Sequence, residues 1–103
     1  MTLIFLKILA LGLLELLPII LFLLSVITIL GIIIGKWEKW DKIDALYFAF
    51  ITATTVGYGD IRPNSKGAKL FSLLIAITGI ILTGIIVAIS LHAVEASFLA
   101  KKG

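Results

Sequence analysis

Residues 54–60 read TTVGYGD, a polar and glycine-rich stretch in the middle of a chain that is otherwise strongly apolar. Of the 103 residues 61% are hydrophobic and only 15% are charged, and the mean hydropathy is +1.24. A soluble domain carries about a quarter charged residues, and a chain this short cannot hide so much apolar surface in one core. The composition therefore predicts a single-domain membrane protein, in which residues 54–60 need a separate explanation.

Several functional classes are disfavoured by composition. The chain has no cysteine, which excludes disulfides and thiolate metal sites. Its net charge of +3 is spread thinly, so nucleic acid is not an expected partner. No nucleophile–base pair, metal-ligand cluster or cofactor motif is visible. We therefore expect neither an enzyme nor a resident cofactor.

The first apolar region contains an uncharged run of 18 residues, 18–35. This is about the length that a helix needs to cross ~30 Å of hydrocarbon. Pro18 suits the first turn, where its missing N–H costs nothing. The preceding residues 1–17 carry Lys7 and Glu15, and we expect either an interfacial helix or a helical extension of this outer helix.

Between the two apolar regions lies a segment that is too short to span. Residues 36–42 are charged and, with Trp37 and Trp40, indicate a turret at the membrane–water interface. Residues 43–54 predict a helix too short to cross a bilayer, so it must re-enter on the same side and end against protein or water. The candidates for its N-terminal cap are Asp41 and Asp44. A polar outer loop, 60–69, and an inner helix, 70–100, complete the predicted order.

The opening stretch fits the end of such a re-entrant helix. Residues 55–59 offer consecutive carbonyl oxygens, and these face one way only if left- and right-handed dihedrals alternate. Gly57 and Gly59 supply the left-handed values cheaply at alternate positions. Four such ribbons around one axis would form stacked rings of oxygen able to replace the hydration shell of a cation. The negative end of the short helix would favour a cation as well.

TTVGYGD resembles the signature of the potassium channels. Residues 44–60, DALYFAFITATTVGYGD, look like the pore helix and filter of the two-span prokaryotic members, and the resemblance extends through Pro63 and the AKLF of residues 68–71. It covers roughly residues 40–90. The fold implied is an all-α membrane protein with two transmembrane helices, a re-entrant pore helix and an extended selectivity filter, assembled as a tetrameric pore.

The resemblance implies a passive, potassium-selective channel with K⁺ as the permeant ligand. The carbonyls of Thr55, Val56, Gly57 and Tyr58 would form four K⁺ sites, with the Thr55 hydroxyl completing the innermost and Gly59 ending the filter. Tyr58 would pack outward against the pore helix. One chain supplies one pore loop, so a homotetramer in the lipid bilayer is implied. It would be a multi-pass protein of the plasma membrane with both termini cytoplasmic.

The residues around the filter depart from the family pattern in two places. Ile51 stands where many relatives carry glutamate or valine, so an acid bonded to Asp60 is missing, and Tyr47 is expected to pair with Asp60 instead. Thr54 completes the expected filter support. Arg62 lies at the outer mouth, where many relatives carry an aromatic residue. Four arginines offer no aromatic face and repel cations, which predicts weak block by external tetraethylammonium.

The second apolar helix carries the expected hinge and gate. Gly79 falls at the position of the family's hinge, although close helix packing explains a glycine there equally well. Helical spacing places one face toward a cavity and the cytoplasmic mouth, and the residues assigned to the hinge and gate are Gly79, Thr83, Gly84, Val87, Ala88, Leu91, His92 and Glu95. His92 reads either as an interfacial residue or as a proton sensor paired with Glu95 at i+3.

One count opposes this topology. The positive-inside rule expects Lys and Arg in the cytoplasm. Here the residues placed outside are Lys36, Lys39, Lys42, Arg62, Lys66 and Lys69, against Lys7, Lys101 and Lys102 inside. Two other functions stay open: a nonselective cation channel on the same fold, and a non-conducting membrane subunit of a larger assembly.

Overall fold

The computed structural model describes residues 1–102, and this part of the chain is helical without strands. The helices are α1 (Thr2–Glu15), α2 (Leu17–Glu38), α3 (Lys42–Ala53) and α4 (Lys66–Lys102). Both α2 and α4 are long and apolar enough to cross a membrane. The 22 residues of α2 rise by about 33 Å, close to the ~30 Å of a hydrocarbon core. The predicted class, a helical membrane protein with two spans and a short helix between them, is confirmed.

The N-terminal helix continues the outer helix. Only Leu16 separates α1 from α2, and Pro18 lies in the first turn of α2 as predicted. Backbone hydrogen bonds cross the break, from Leu16 N to Gly12 O at 3.1 Å and from Ile20 N to Leu16 O at 3.0 Å. The main contacts of α1 are with α4. Of the two expected arrangements for residues 1–17, the structure favours the helical extension over an isolated interfacial helix.

The connections at the outer end are shorter than predicted. Residues 36–38 belong to α2, so the turret expected over 36–42 was placed to begin too early. The helix ends at Lys39, whose backbone adopts the left-handed conformation with φ 59°. The expected loop over 60–69 runs too far, because α4 already begins at Lys66. Ser65 caps it, its Oγ accepting a hydrogen bond from Ala68 N at 3.2 Å. In α3, Asp41 is the cap, accepting from Asp44 N at 2.7 Å.

Small residues let α3 lie close to the outer helix. A Cβ at Gly31 would come 2.6 Å from the Cβ of Ala49, and one at Gly35 would come 2.6 Å from the Cβ of Ala45. Both pairs are spaced by four residues, so one turn of each helix fits against one turn of the other, the small-xxx-small packing of membrane helices. The sequence contained this signal at residues 31 and 35, and our prediction overlooked it.

The core forms where α3 fits between α2 and α4. Its buried side chains come from all three helices: Ile27 and Ile34 from α2, Phe48 from α3, and Ile75 from α4. Trp40 packs against this cluster, with its ring centroid 5.1 Å from that of Phe48. The short helix is therefore held on both sides, which fixes the position of the segment that leaves its C-terminal end.

Candidate functional site

Residues 54–60 leave the C-terminal end of α3 and fold back on its last turn. Thr54 donates its backbone N–H to the carbonyl of Phe50 at 2.9 Å, and its hydroxyl reaches the same oxygen at 2.6 Å. Gly57 N then donates to the carbonyl of Ile51 at 3.0 Å. Carbonyl groups that the end of α3 leaves without helical partners thus hold the segment that follows, residues 55–59, which we call the ribbon. Ile51, which lacks the acid of many relatives, contributes here through its backbone.

The ribbon alternates in hand, as the glycine spacing predicted. Gly57 and Gly59 have φ of 54° and 81°, and Thr55 joins them with φ of 66°. The intervening Val56 and Tyr58 are absent from the positive-φ residues. The positive φ of Thr55 was not predicted, because threonine rarely adopts the left-handed backbone conformation. Its hydroxyl donates to the carbonyl of Thr54 at 2.6 Å, a local contact that favours the conformation.

One chain leaves this ribbon largely uncovered. The side chains of Val56 and Tyr58 are 52% and 71% exposed. A Cβ added at Gly57 or Gly59 would meet nothing within 4 Å. Tyr58 thus stays exposed within a single chain, and its packing against a pore helix stays a prediction. The surface that would cover the ribbon has to come from elsewhere.

The far end of the ribbon is tied to the middle of α3. Tyr47 donates its hydroxyl to Asp60 Oδ2 at 3.0 Å, which is the pairing expected from the sequence. Desolvation, followed by the hydrogen bond to Asp60, raises the pKa of the Tyr47 phenol. The phenol consequently keeps its proton and acts as the donor. Together with the contact between Gly57 and Ile51, this bond attaches the ribbon to α3 at two points.

Glu38 is a site residue that sequence reasoning missed. Its Oε1 accepts hydrogen bonds from Asn64 N and Ser65 N, both at 2.8 Å. The carboxylate therefore sits at the start of α4, where the helix dipole also favours negative charge. No local pattern could have revealed it, since the partners are 26 and 27 residues away. It joins the outer helix to the loop that follows the ribbon.

Gly79 lies against the end of α3. A Cβ at Gly79 would fall 2.5 Å from Ala53 Cα and 2.6 Å from its carbonyl carbon. These are backbone atoms, which cannot move aside as a flexible side chain could. Of the two explanations open for this glycine, close packing is thus required by the structure, while a hinge stays a prediction. Gly84 differs, because a Cβ there would meet nothing within 4 Å.

The other expected gate residues divide into two groups. α4 packs on its neighbours through a stripe that includes Ile75, Ile89 and Ala93, all buried. On exposed parts of its surface lie Thr83, Gly84, Val87, Ala88, Leu91 and Glu95. Two of the expected gate residues, Ala88 and His92, also line a cleft with Glu15 of α1. Arg62 is exposed in the loop after the ribbon.

Comparison with known proteins gives a family for this arrangement. A profile described as an ion channel matches residues 17–96, most of the chain and all of α2, α3 and the ribbon. The chain belongs to this ion-channel family. No solved structure matches significantly.

The relatives match over less than half of the chain. Two-pore potassium channel 1 of Arabidopsis thaliana is 48% identical over 42 residues, which are 41% of this chain and 12% of that protein. Two pore potassium channel c of Oryza sativa subsp. japonica is 53% identical over 36 residues, which are 35% of this chain and 8% of that protein. Potassium channel subfamily K member 10 of Homo sapiens is 48% identical over 44 residues, which are 43% of this chain and 8% of that protein. The chain thus spans only a small fraction of the length of each of these relatives.

Proposed function

We propose that this chain is the pore-forming subunit of a potassium-selective channel. The observation that carries the proposal is the ribbon itself: φ is positive at Thr55, Gly57 and Gly59 and at no other residue between them. A backbone of alternating hand brings successive carbonyls to one side. Rings of such carbonyls replace the hydration shell of K⁺ in selective filters. The names of the relatives, which are potassium channels, support the same ion.

In this proposal the ion is held mainly by backbone carbonyl oxygens. The carbonyls of Thr55, Val56, Gly57 and Tyr58 form four sites in sequence, and the Thr55 hydroxyl completes the innermost. The C-terminal end of α3 precedes the ribbon directly, so its partial negative charge stabilises a cation arriving from the cavity. Transport is passive in this proposal. Conduction requires that K⁺ binds strongly enough to enter the filter and weakly enough to leave it.

We propose a homotetramer because the site is incomplete in one chain. Each chain carries a single TTVGYGD stretch, and the ribbon's side chains are exposed at Val56 and Tyr58. Four ribbons around an axis would cover these side chains with neighbouring pore helices. The expected packing of Tyr58 would then be made between chains. Two relatives named two-pore channels match this chain over 42 and 36 residues, so each match includes at most one such stretch of this chain.

The proposed orientation places the ribbon's Asp60 end outside, with both termini in the cytoplasm of a plasma-membrane protein. Trp37 and Trp40 lie at the end of α2 that faces this side, in keeping with an interfacial position. The excess of basic residues on the outer side opposes the positive-inside rule. Of these basic residues, Lys39 and Arg62 lie in the connections, and the others lie near the ends of the helices beside them, namely Lys36, Lys42, Lys66 and Lys69.

Two observations favour this function over the alternatives. A nonselective cation channel would need a filter that has lost its outer sites, whereas here Tyr58 and Asp60 are present and Asp60 is hydrogen-bonded to Tyr47. A non-conducting subunit would not need the ribbon held at Ile51 and Asp60. Flux from liposomes loaded with K⁺ tests the proposal directly. Wild-type protein should discharge a K⁺ gradient and leave a Na⁺ gradient intact.

The matched variant for the flux measurement is Gly57→Ala. Gly57 has φ 54°, where an alanine costs about 1–2 kcal/mol, while a Cβ there meets no neighbour within 4 Å. Its effect is thus on the ribbon's conformation and not on packing within the chain. We expect the variant to reach the membrane and to lose K⁺ flux. Undiminished flux, or equal Na⁺ and K⁺ flux in the wild type, would contradict the proposal.

A further inference from the structure

A cleft of about 330 Å³ opens between α1 and the lower half of α4. Its apolar walls include Leu16, at the break between the first two helices, and Ile85 and Ile89 on the inner helix. Two polar side chains line it, Glu15 from α1 and His92 from α4. None of these residues belongs to the ribbon, although His92 and Ala88, which also lines the cleft, are among the residues expected at the gate.

The cleft is built by two helices in firm contact. At Gly12 a Cβ would fall 2.7 Å from Ile89 Cγ2, so the absence of a side chain lets α1 approach the inner helix. Further along the same interface Ala93 and Ser97 of α4 are fully buried. The walls of the cleft are therefore fixed by the packing of α1 on α4.

The cleft has one acidic lining residue, Glu15, beside the imidazole of His92, and the remaining lining residues are apolar. Glu15 is exposed, and a carboxylate at the edge of an apolar surface attracts a cationic group. Covering the apolar walls beside it with hydrocarbon is favourable, because it removes apolar surface from water. The two demands together describe a ligand with a cationic head and an apolar tail.

We propose that this cleft binds an amphiphilic cation, a quaternary or protonated amine that carries an alkyl chain. The amine lies at Glu15 and the chain lies along Leu16, Ile85 and Ile89. An anionic lipid would place like charges together at Glu15, and a neutral alkyl chain would leave the carboxylate without a partner. The site does not depend on K⁺ conduction, so binding can be measured whether or not the proposed function holds.

His92 provides the probe, because it is the only histidine in the chain. Protein with isotope-labelled histidine, in nanodiscs of zwitterionic lipid at neutral pH, gives one set of imidazole resonances. Dodecyltrimethylammonium should shift these resonances saturably, at concentrations well below those that disrupt the discs. Dodecyl maltoside and dodecyl sulfate, which carry the same chain with a neutral or an anionic head, should not.

Variants locate the interaction at the carboxylate. Glu15→Gln should weaken dodecyltrimethylammonium binding about severalfold, the loss expected when an exposed charge pair is removed. Glu15→Asp should retain most of it. Glu95→Gln removes a carboxylate one turn beyond His92 that does not line the cleft, and should leave the affinity unchanged. Equal shifts with all three amphiphiles, or unchanged binding in Glu15→Gln, would overturn the proposal.

Discussion

The hydroxyl of Tyr47 lies 3.0 Å from Asp60 Oδ2, and this hydrogen bond joins the middle of the pore helix to the residue that ends the TTVGYGD stretch. The two residues are 13 positions apart and enclose the whole ribbon. In many potassium channels the acid four residues before the filter is expected to serve as the partner of this aspartate. Here Ile51 stands at that position, so the bond from Tyr47 carries more of the ribbon's attachment.

Removing this donor should destabilise the outer end of the ribbon. Tyr47→Phe keeps the ring and deletes the hydroxyl, which leaves Asp60 without this hydrogen-bond partner. We expect K⁺ current that declines faster during sustained activity. Macroscopic currents from reconstituted protein measure the decline. Tyr47→Trp restores a ring N–H donor and should behave more like the wild type; identical decline in all three proteins would show that the bond is unimportant.

The two inner-helix glycines should respond oppositely to alanine. At Gly79 a Cβ collides with the backbone of Ala53, and separating the helices costs about 1–3 kcal/mol and displaces the end of α3. At Gly84 the added methyl meets nothing within a chain, and the gain in helix propensity is about 1 kcal/mol. Thermal unfolding of the purified assembly should show Gly79→Ala destabilised and Gly84→Ala not. Equal effects would contradict the close contact between α4 and α3.

Glu38 should hold the loop that follows the ribbon. Glu38→Ala removes the acceptor of the N–H groups of Asn64 and Ser65, which should loosen the loop. Hydrogen exchange at these two amides should accelerate strongly, while exchange in α2 stays slow. Glu38→Gln keeps an acceptor oxygen and should give an intermediate rate. Protection of both amides in the alanine variant would show that another group holds the loop.

Arg62 should set the response to external tetraethylammonium. It is exposed beyond Asp60, and four copies around the outer mouth would repel the cation without offering an aromatic face. We expect weak block in the wild type and substantially stronger block in Arg62→Tyr. The variant Arg62→Gln, which removes the charge without adding a ring, separates the two contributions. Strong block of the wild type would place Arg62 away from the mouth.

The sequence predicted the features that depend on local chemistry. The apolar lengths indicated the two spans, Gly57 and Gly59 indicated the alternating ribbon, and the side chains of Tyr47 and Asp60 were complementary. The predicted ends of the helices were less accurate. The start of α4 is stabilised by hydrogen bonds to Ser65 and to Glu38, and Glu38 is distant in sequence. The packing of α1 on α4 could not be read from residues 1–17, which are apolar on most sides and give no direction.

The surroundings of two side chains could not be predicted from the local sequence. Tyr58 is 71% exposed in one chain, so its packing against a pore helix stays a prediction for the proposed tetramer. His92 was assigned to the gate, and the structure adds that Glu15 of α1 lines the same cleft. The sequence around His92 gave no indication that α1 lies beside it.

The reversal potential tests the central claim most directly. Purified protein in a planar bilayer, with K⁺ on one side and Na⁺ on the other, reports whether the ribbon discriminates between the two ions. Carbonyl rings formed by residues 55–58 predict a reversal close to the K⁺ equilibrium potential. A reversal near zero would contradict a potassium-selective filter and favour the nonselective channel, and the absence of any current from stably assembled protein would favour the non-conducting subunit.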